Sequence, residues 1–229
     1  MSIINGVGRV GIRSIAAPPT STLWNNLVAY YTADNTPNDA LGNYNGTLVN
    51  GATYSNGKIG QGFSLDGVND FIQINSSLPS FSSTQPHSYS AWVNISTFVG
   101  LDFIINNGNL SQGTSLVIRN NKIVFYFAGG NAFVQGNTTL TTNSWLNLVI
   151  TFNGAGEVVF YLNGESDGNI NITSVWSSAI TNVPRLGSWY NTTHTFHGIM
   201  DEIGVWNKAL TPTEVTELYN SGAGLQYPN

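Results

Sequence analysis

The chain has 229 residues, no cysteine and 8% charged residues, with a formal net charge of −5 and a pI near 4.9. These figures exclude disulfide frameworks, cysteine-ligated zinc and thiol catalysis. Seven Lys and Arg against twelve Asp and Glu leave no basic face for nucleic acid.

Aromatic residues make up 12% of the chain, enough to build a core, and Asn, Ser and Thr take the place of the missing charges. The length suits one large all-β domain. No apolar stretch approaches the ~20 residues of a membrane-spanning helix, so no membrane insertion is expected.

Residues 1–22 are expected to form an extended arm and a Pro-rich linker. Met1 to Arg13 lacks the unbroken apolar stretch of a secretory signal. Gly6-Val7-Gly8-Arg9-Val10-Gly11 matches a dinucleotide-binding pattern in letters only. That pattern works between a buried strand and a helix, and Ala16-Ala17-Pro18-Pro19 cannot open a helix. Ile3, Ile4, Val7, Val10 and Ile12 could instead add a strand to a neighbour's sheet edge, with Arg9 and Arg13 facing an acidic partner. The domain proper is then residues 23–229.

From Trp24 onward the pattern is strand, turn, strand. Leu27–Tyr31, Gln61–Leu65, Phe71–Ile74, Ser88–Ile95, Leu116–Ile118, Ile123–Phe127, Trp145–Phe152, Val158–Leu162 and His197–Trp206 carry β patterns. In Ser88–Ile95 the alternation puts Tyr89, Ala91, Val93 and Ile95 on one face and Trp92 on the other. Asn120-Asn121 and Asn163-Gly164 signal tight hairpins. Trp24, Trp92, Trp145 and Trp206 lie in apolar patterns expected to be core. One helix is predicted after Thr211-Pro212-Thr213-Glu214, an N-cap hydroxyl, a proline at the first helical position and a capping-box Glu. No βαβ alternation appears.

Taken in order, these pieces resemble the laminin-G-like, concanavalin A-like jelly-roll family over about residues 27–219. The matching runs include Asn38-Asp39-Ala40-Leu41-Gly42-Asn43, Gly57 to Gly67, Tyr89-Ser90-Ala91-Trp92-Val93, Phe160-Tyr161-Leu162-Asn163-Gly164 and Phe196 to Ile203. The fold expected is all-β: an antiparallel two-sheet jelly-roll sandwich with one short C-terminal helix and an extended N-terminal arm. The family hosts lectins, hydrolases and structural modules, so the fold alone assigns no activity. The arm resembles, more loosely, those of bacteriophage structural proteins.

No enzyme is expected. Glycoside hydrolysis needs two carboxylates on one side of a cleft. Glu165-Ser166-Asp167 reads as a solvated hairpin end, and on a regular strand the neighbours Asp201 and Glu202 point to opposite faces. His87, His194 and His197 show no metal-ligand spacing with acids. The family resemblance implies one structural calcium ion, carried over onto Asp39, Asn43 and Asp201. Candidate glycan-binding residues are Trp189 and Tyr190, in a Gly/Ser/Thr-rich loop, and Tyr126 and Phe133, near Gly129 and Gly130.

The function expected is that of a non-enzymatic virion structural protein on the outer surface of a particle, such as a bacteriophage decoration, fibre or tail-associated component. It would be multi-copy or homo-oligomeric, docked on other virion proteins through its arm, and adherent to glycans. The alternative is a secreted, extracellular bacterial carbohydrate-binding module, with a glycoside hydrolase of the same fold as a third class. The absence of a signal peptide weighs against the secreted alternative.

Overall fold

A computed structural model of the chain describes residues 21–108, 113–127, 132–176, 183–190 and 194–228. The arm residues Ile3, Ile4, Val7, Arg9, Val10, Ile12 and Arg13 lie outside them.

The first strands are β1 (Leu27–Tyr31), β2 (Gly46–Val49), β3 (Thr53–Asn56), β4 (Gln61–Asp66) and β5 (Phe71–Ile74). The long β6 (His87–Ile95) and β7 (Leu101–Gly108) lead to β8 (Gly113–Arg119), β9 (Lys122–Phe127) and β10 (Ala132–Gln135). After them come β11 (Trp145–Phe152), β12 (Glu157–Leu162), β13 (Glu165–Asn171), β14 (Arg185–Leu186) and β15 (His197–Trp206). The helix α1 spans Pro212–Tyr219.

The strands form two antiparallel sheets. The eight-stranded sheet runs β13-β12-β11-β6-β15-β4-β3, with β1 also paired to β15. The seven-stranded sheet runs β10-β9-β8-β7-β14-β5-β2. The jelly-roll sandwich expected from the sequence is what forms.

Side-chain alternation explains the packing. On β6, Tyr89, Ala91, Val93 and Ile95 face the other sheet and are buried there with Phe63, Ile72, Ile104, Phe125, Ile150 and Phe160. Burying one such side chain is worth ~1.5–3 kcal/mol, so the inner faces dominate the folding energy. The β8–β9 hairpin turns through Asn120 and Asn121, both at positive φ (51° and 59°), the pairing whose twist matches that of the strands.

The outer face of the eight-stranded sheet is closed by α1. Thr211 Oγ1 accepts from Glu214 N at 3.3 Å, and Glu214 Oε2 accepts from Thr211 N at 2.9 Å, which completes the capping box. Val215 and Leu218 then pack over Val149, Tyr161 and Trp206. The chain entry is fastened on the same side. Thr22 Oγ1 and Lys208 Nζ both donate to Glu214 Oε1, at 2.6 and 2.7 Å, and Trp206 Nε1 donates to the Leu23 carbonyl at 2.9 Å. Trp92 and Trp206 are buried as expected, whereas Trp24 and Trp145 are half-buried at the margin.

His87 sits inside the sandwich, stacked flat on Phe81 at 4.4 Å, with Tyr89, Phe125 and Phe152 around it. Burial pushes its pKa from 6.5 down to about 4, so the folded state holds it neutral. The unfolded chain protonates first as pH falls, so stability is lost below pH 6.5 and the loss levels off beneath pH 4. Urea melts of the wild type should therefore show a loss of about 2–3 kcal/mol between pH 7 and pH 4.5 from this group. In His87→Phe that component of the pH dependence should vanish.

Candidate functional site

The outer face of the seven-stranded sheet carries no helix. Alternation places Leu101 and Phe103 of β7, Val117 of β8, Val124 and Tyr126 of β9 and Phe133 of β10 together on it. Gly187, at φ 83°, turns the chain after β14, and a Cβ there would run into Leu65. The turn lays Trp189 on the same surface.

The rings make a continuous belt. Phe103 and Trp189 stack almost parallel, with centroids 5.6 Å apart and an angle of 3° between their planes. Phe103 meets Tyr126 at 6.1 Å, and Tyr126 stacks on Phe133 at 5.6 Å. At the other end Trp189 stacks on His194 at 5.2 Å and meets Tyr190 edge-on at 4.9 Å. All four expected glycan residues thus lie on one surface, each half-buried, although they are scattered through the sequence. Phe103 joins the two pairs. Gly129 and Gly130 lie outside the described residues.

Polar groups are fixed among the rings. The Arg119 guanidinium lies 4.4 Å from the Phe133 ring centre and donates to Tyr126 Oη at 2.9 Å. Arg185 lies 4.1 Å from the Phe71 ring centre, donates through Nε to Gln73 Oε1 at 3.2 Å, and donates to the Trp189 carbonyl at 2.9 Å. That last bond holds the backbone that presents the indole. Asn106 is buried, and its Oδ1 accepts from Ser115 Oγ at 3.1 Å while its Nδ2 has no partner. A buried amide with free donors is ordinarily satisfied by water or ligand.

A family model described as the Concanavalin A-like lectin/glucanases superfamily, of laminin G type, matches residues 66–216. The chain belongs to this superfamily. Botulinum neurotoxin type X of Clostridium botulinum is 25% identical over 150 residues, which is 61% of this chain and 11% of the toxin. The chain therefore spans about a tenth of that curated relative.

Among solved structures, one similar to this domain is domain 4 of AbnA, a GH43 extracellular arabinanase from Geobacillus stearothermophilus, in complex with arabinotriose. Its TM-score is 0.71 at 24% identity, covering 84% of this chain and 97% of that one. The binding domain of Paraclostridial Mosquitocidal Protein 1 superposes with a TM-score of 0.69 at 20% identity, over 87% of this chain and 53% of that one. The binding domain of Botulinum Neurotoxin DC, in complex with SialylT, gives 0.65 at 16%, over 87% and 52%. At these identities the likeness is one of fold.

The superfamily resemblance implied a calcium ion at Asp39, Asn43 and Asp201. Asp39 is buried, and its carboxylate is already surrounded by backbone donors. Tyr30 N and Leu41 N point at Oδ1, and Asn43 N and Tyr44 N at Oδ2, at 2.9–3.2 Å. Asp201 Oδ2 accepts from Lys58 N and Ile59 N at 2.7 and 2.9 Å, and Oδ1 from Glu202 N at 2.8 Å. An ion would have to displace N–H groups whose positive ends face the same lone pairs, so these residues do not fit calcium as ligands. They instead pin loops to strands. Among the described residues no group of three His, Asp or Glu gathers at metal-binding distance.

The acid pair departs from simple alternation. The register of β15 on β6 shifts between Asp201 and Gly204, and Glu202 sits in the bulge at φ 48°. The bulge turns both carboxyls to the α1 side, contrary to the expectation that neighbours face opposite ways. Burial, and then the neighbouring Asp201, pushes Glu202 up to about 9. Glu165 is exposed as expected of a hairpin end, but Asp167 is buried and accepts from Thr138 N at 2.9 Å. His194 joins the belt, whereas His197 pairs across to Asp66 in the other sheet.

Asp39→Ala should strand four backbone donors and cost about 3 kcal/mol or more. The measurement is denaturant unfolding in chelator and in millimolar calcium, and the loss should be equal in the two buffers.

Proposed function

We propose that the chain is a non-enzymatic, lectin-like module that binds an oligosaccharide on the aromatic belt of the seven-stranded sheet. The observation that carries this is a run of half-buried rings, Trp189, Tyr190, Tyr126 and Phe133, seated over the buried Phe103 on a single outer face. The apolar C–H faces of sugar rings pack on such planes, while the half-buried Arg119 stands ready to bond hydroxyls at the margin. A belt of successive rings suits several sugar units in a row. The complexes of the AbnA domain with arabinotriose and of the neurotoxin DC binding domain with SialylT support a glycan ligand. No strand residue on this face is a carboxylic acid, so the pair that hydrolysis requires is lacking there.

A second reading, the outward display of this module on a virus particle, draws support from the side on which the chain enters. Thr22, near the first of the described residues, is fastened beside α1, on the side opposite the belt. An arm docked on another virion protein would then hold the belt outward. An extracellular module carried on a longer chain would be presented in the same way.

Trp189→Ala should weaken binding to whichever glycan an array identifies by at least tenfold, about 1.4 kcal/mol, without moving the melting temperature by more than a few degrees. A wild-type response that is flat across a broad array would overturn the glycan assignment. Deletion of residues 1–22 should leave glycan binding intact and abolish incorporation into particles; incorporation at the wild-type level would defeat the anchoring role.

A further inference from the structure

Charge is distributed very unevenly between the two sheets. Of the chain's seven cations, Arg119, Lys122 and Arg185 all lie on strands of the seven-stranded sheet. Of its twelve acids, those strands hold Asp102 alone. Asp102 is in register with Ile118, a core residue, and so belongs to the inner side. The three cations share the opposite register. Lys122 and Tyr126 are two residues either side of Val124 on the belt, Arg119 pairs with Lys122 across the hairpin, and Arg185 stands beside Gln73 and Asn106. Among the described residues, an otherwise acidic molecule therefore has one outer sheet face whose strands carry three positive charges and no negative one, together with an aromatic belt.

Maintaining this separation by chance is hard to reconcile with the rest of the surface, where Lys58 and Lys208 sit among acids on the α1 side. Lys208 is paired with Glu214 at 2.7 Å, and the backbone N–H of Lys58 donates to Asp201 Oδ2 at 2.7 Å. Among the described residues Arg119, Lys122 and Arg185 have no carboxylate partner. Each uses only part of its donor capacity, on a phenol oxygen, an amide oxygen or a backbone carbonyl. A guanidinium is planar, and its unused N–H groups suit a planar, bidentate acceptor. That of Arg119 lies 4.4 Å from the Phe133 ring centre.

We infer that the ligand of this face is an acidic glycan, bearing carboxylate or sulfate groups, whose rings stack on the belt while its anions meet Arg119, Lys122 and Arg185. The inference rests on the glycan assignment and narrows it to one chemical class. Arg119 is the specificity-determining residue, because it adjoins two rings of the belt; Arg185 is a positioning residue for Trp189 as well as a charge.

The test uses the full chain and pairs of oligosaccharides that share a backbone and differ only in charge: oligogalacturonate against its methyl ester, and sialylated against desialylated glycans, together with a broad array. At least one acidic member should bind ten or more times tighter than its neutral counterpart. Arg119→Gln should remove most of that difference. Lys58→Gln, which makes the same change in net charge on the other sheet, should leave it unchanged. Binding that is equal for acidic and neutral members, or array hits that are all neutral, would overturn the acidic class while leaving the glycan site standing. Silence across the pairs and the array would remove the glycan assignment itself. An equal effect of Lys58→Gln and Arg119→Gln would show that net charge, and not this face, is being read.

Discussion

Everything else in the molecule depends on the mutual burial of the two inner sheet faces. A strand has two sides, and a sandwich uses one of them from each sheet for its core. The outer sides must then be dealt with separately. Here the eight-stranded sheet has its outer side taken up by α1, the chain entry and the C-terminal residues, with Tyr30 Oη bonded to the Leu225 carbonyl at 2.9 Å. On the outer side of the seven-stranded sheet the described residues include no helix, and the buried Phe103, Val117 and Val124 form a small cluster of their own beneath Leu101, Tyr126, Phe133 and Trp189. The sheet backbone separates this small cluster from the main core. A ring can be removed from the belt without opening a cavity between the sheets.

Much of this was legible from local pattern. The strands with clear alternation, β1, β4, β5, β6, β9, β11, β12 and β15, were all marked in the sequence, as were the Asn120-Asn121 hairpin and the capped helix. Of the six missed strands, β13 among them, five have a plain physical reason. β2, β3, β10 and β14 are four residues or fewer, too short for a period to show. β7 reads Leu-Asp-Phe-Ile-Ile-Asn-Asn-Gly, and its bulge between Phe103 and Ile105 breaks the alternation that would have identified it. That same bulge hid Phe103, the ring at the centre of the belt. Its available signal was a bulky aromatic at the outward register of a sheet strand, which needs the pairing with β8 to be known first.

The site shows the same division. Trp189, Tyr190, Tyr126 and Phe133 were suggested by their neighbours in sequence, but only the order of β10, β9, β8, β7 and β14 brings them side by side. Asp39 and Asp201 were singled out as calcium ligands, and the backbone N–H groups they accept from instead were invisible in the sequence. Whether a carboxylate faces a cation or four backbone N–H groups depends on where loops several residues away come to rest. Glu202 is the sharper lesson. Its left-handed conformation is a property of the bulge, and nothing in Asp-Glu as a dipeptide announces it.

The uneven charge also bears on how the surroundings govern association. The whole chain carries −5, while one face is positive. At about 0.01 M salt the Debye length is near 30 Å, comparable to the molecule itself, so an approaching polyanion feels the net negative charge. At about 0.15 M that length shrinks to roughly 8 Å and the distant acids fade, whereas guanidinium groups held against aromatic rings act at contact, where screening is weakest. Adding salt first removes repulsion and only later erodes attraction. The face is therefore best suited to a medium of intermediate ionic strength, and in very dilute solution the protein's own far side works against it.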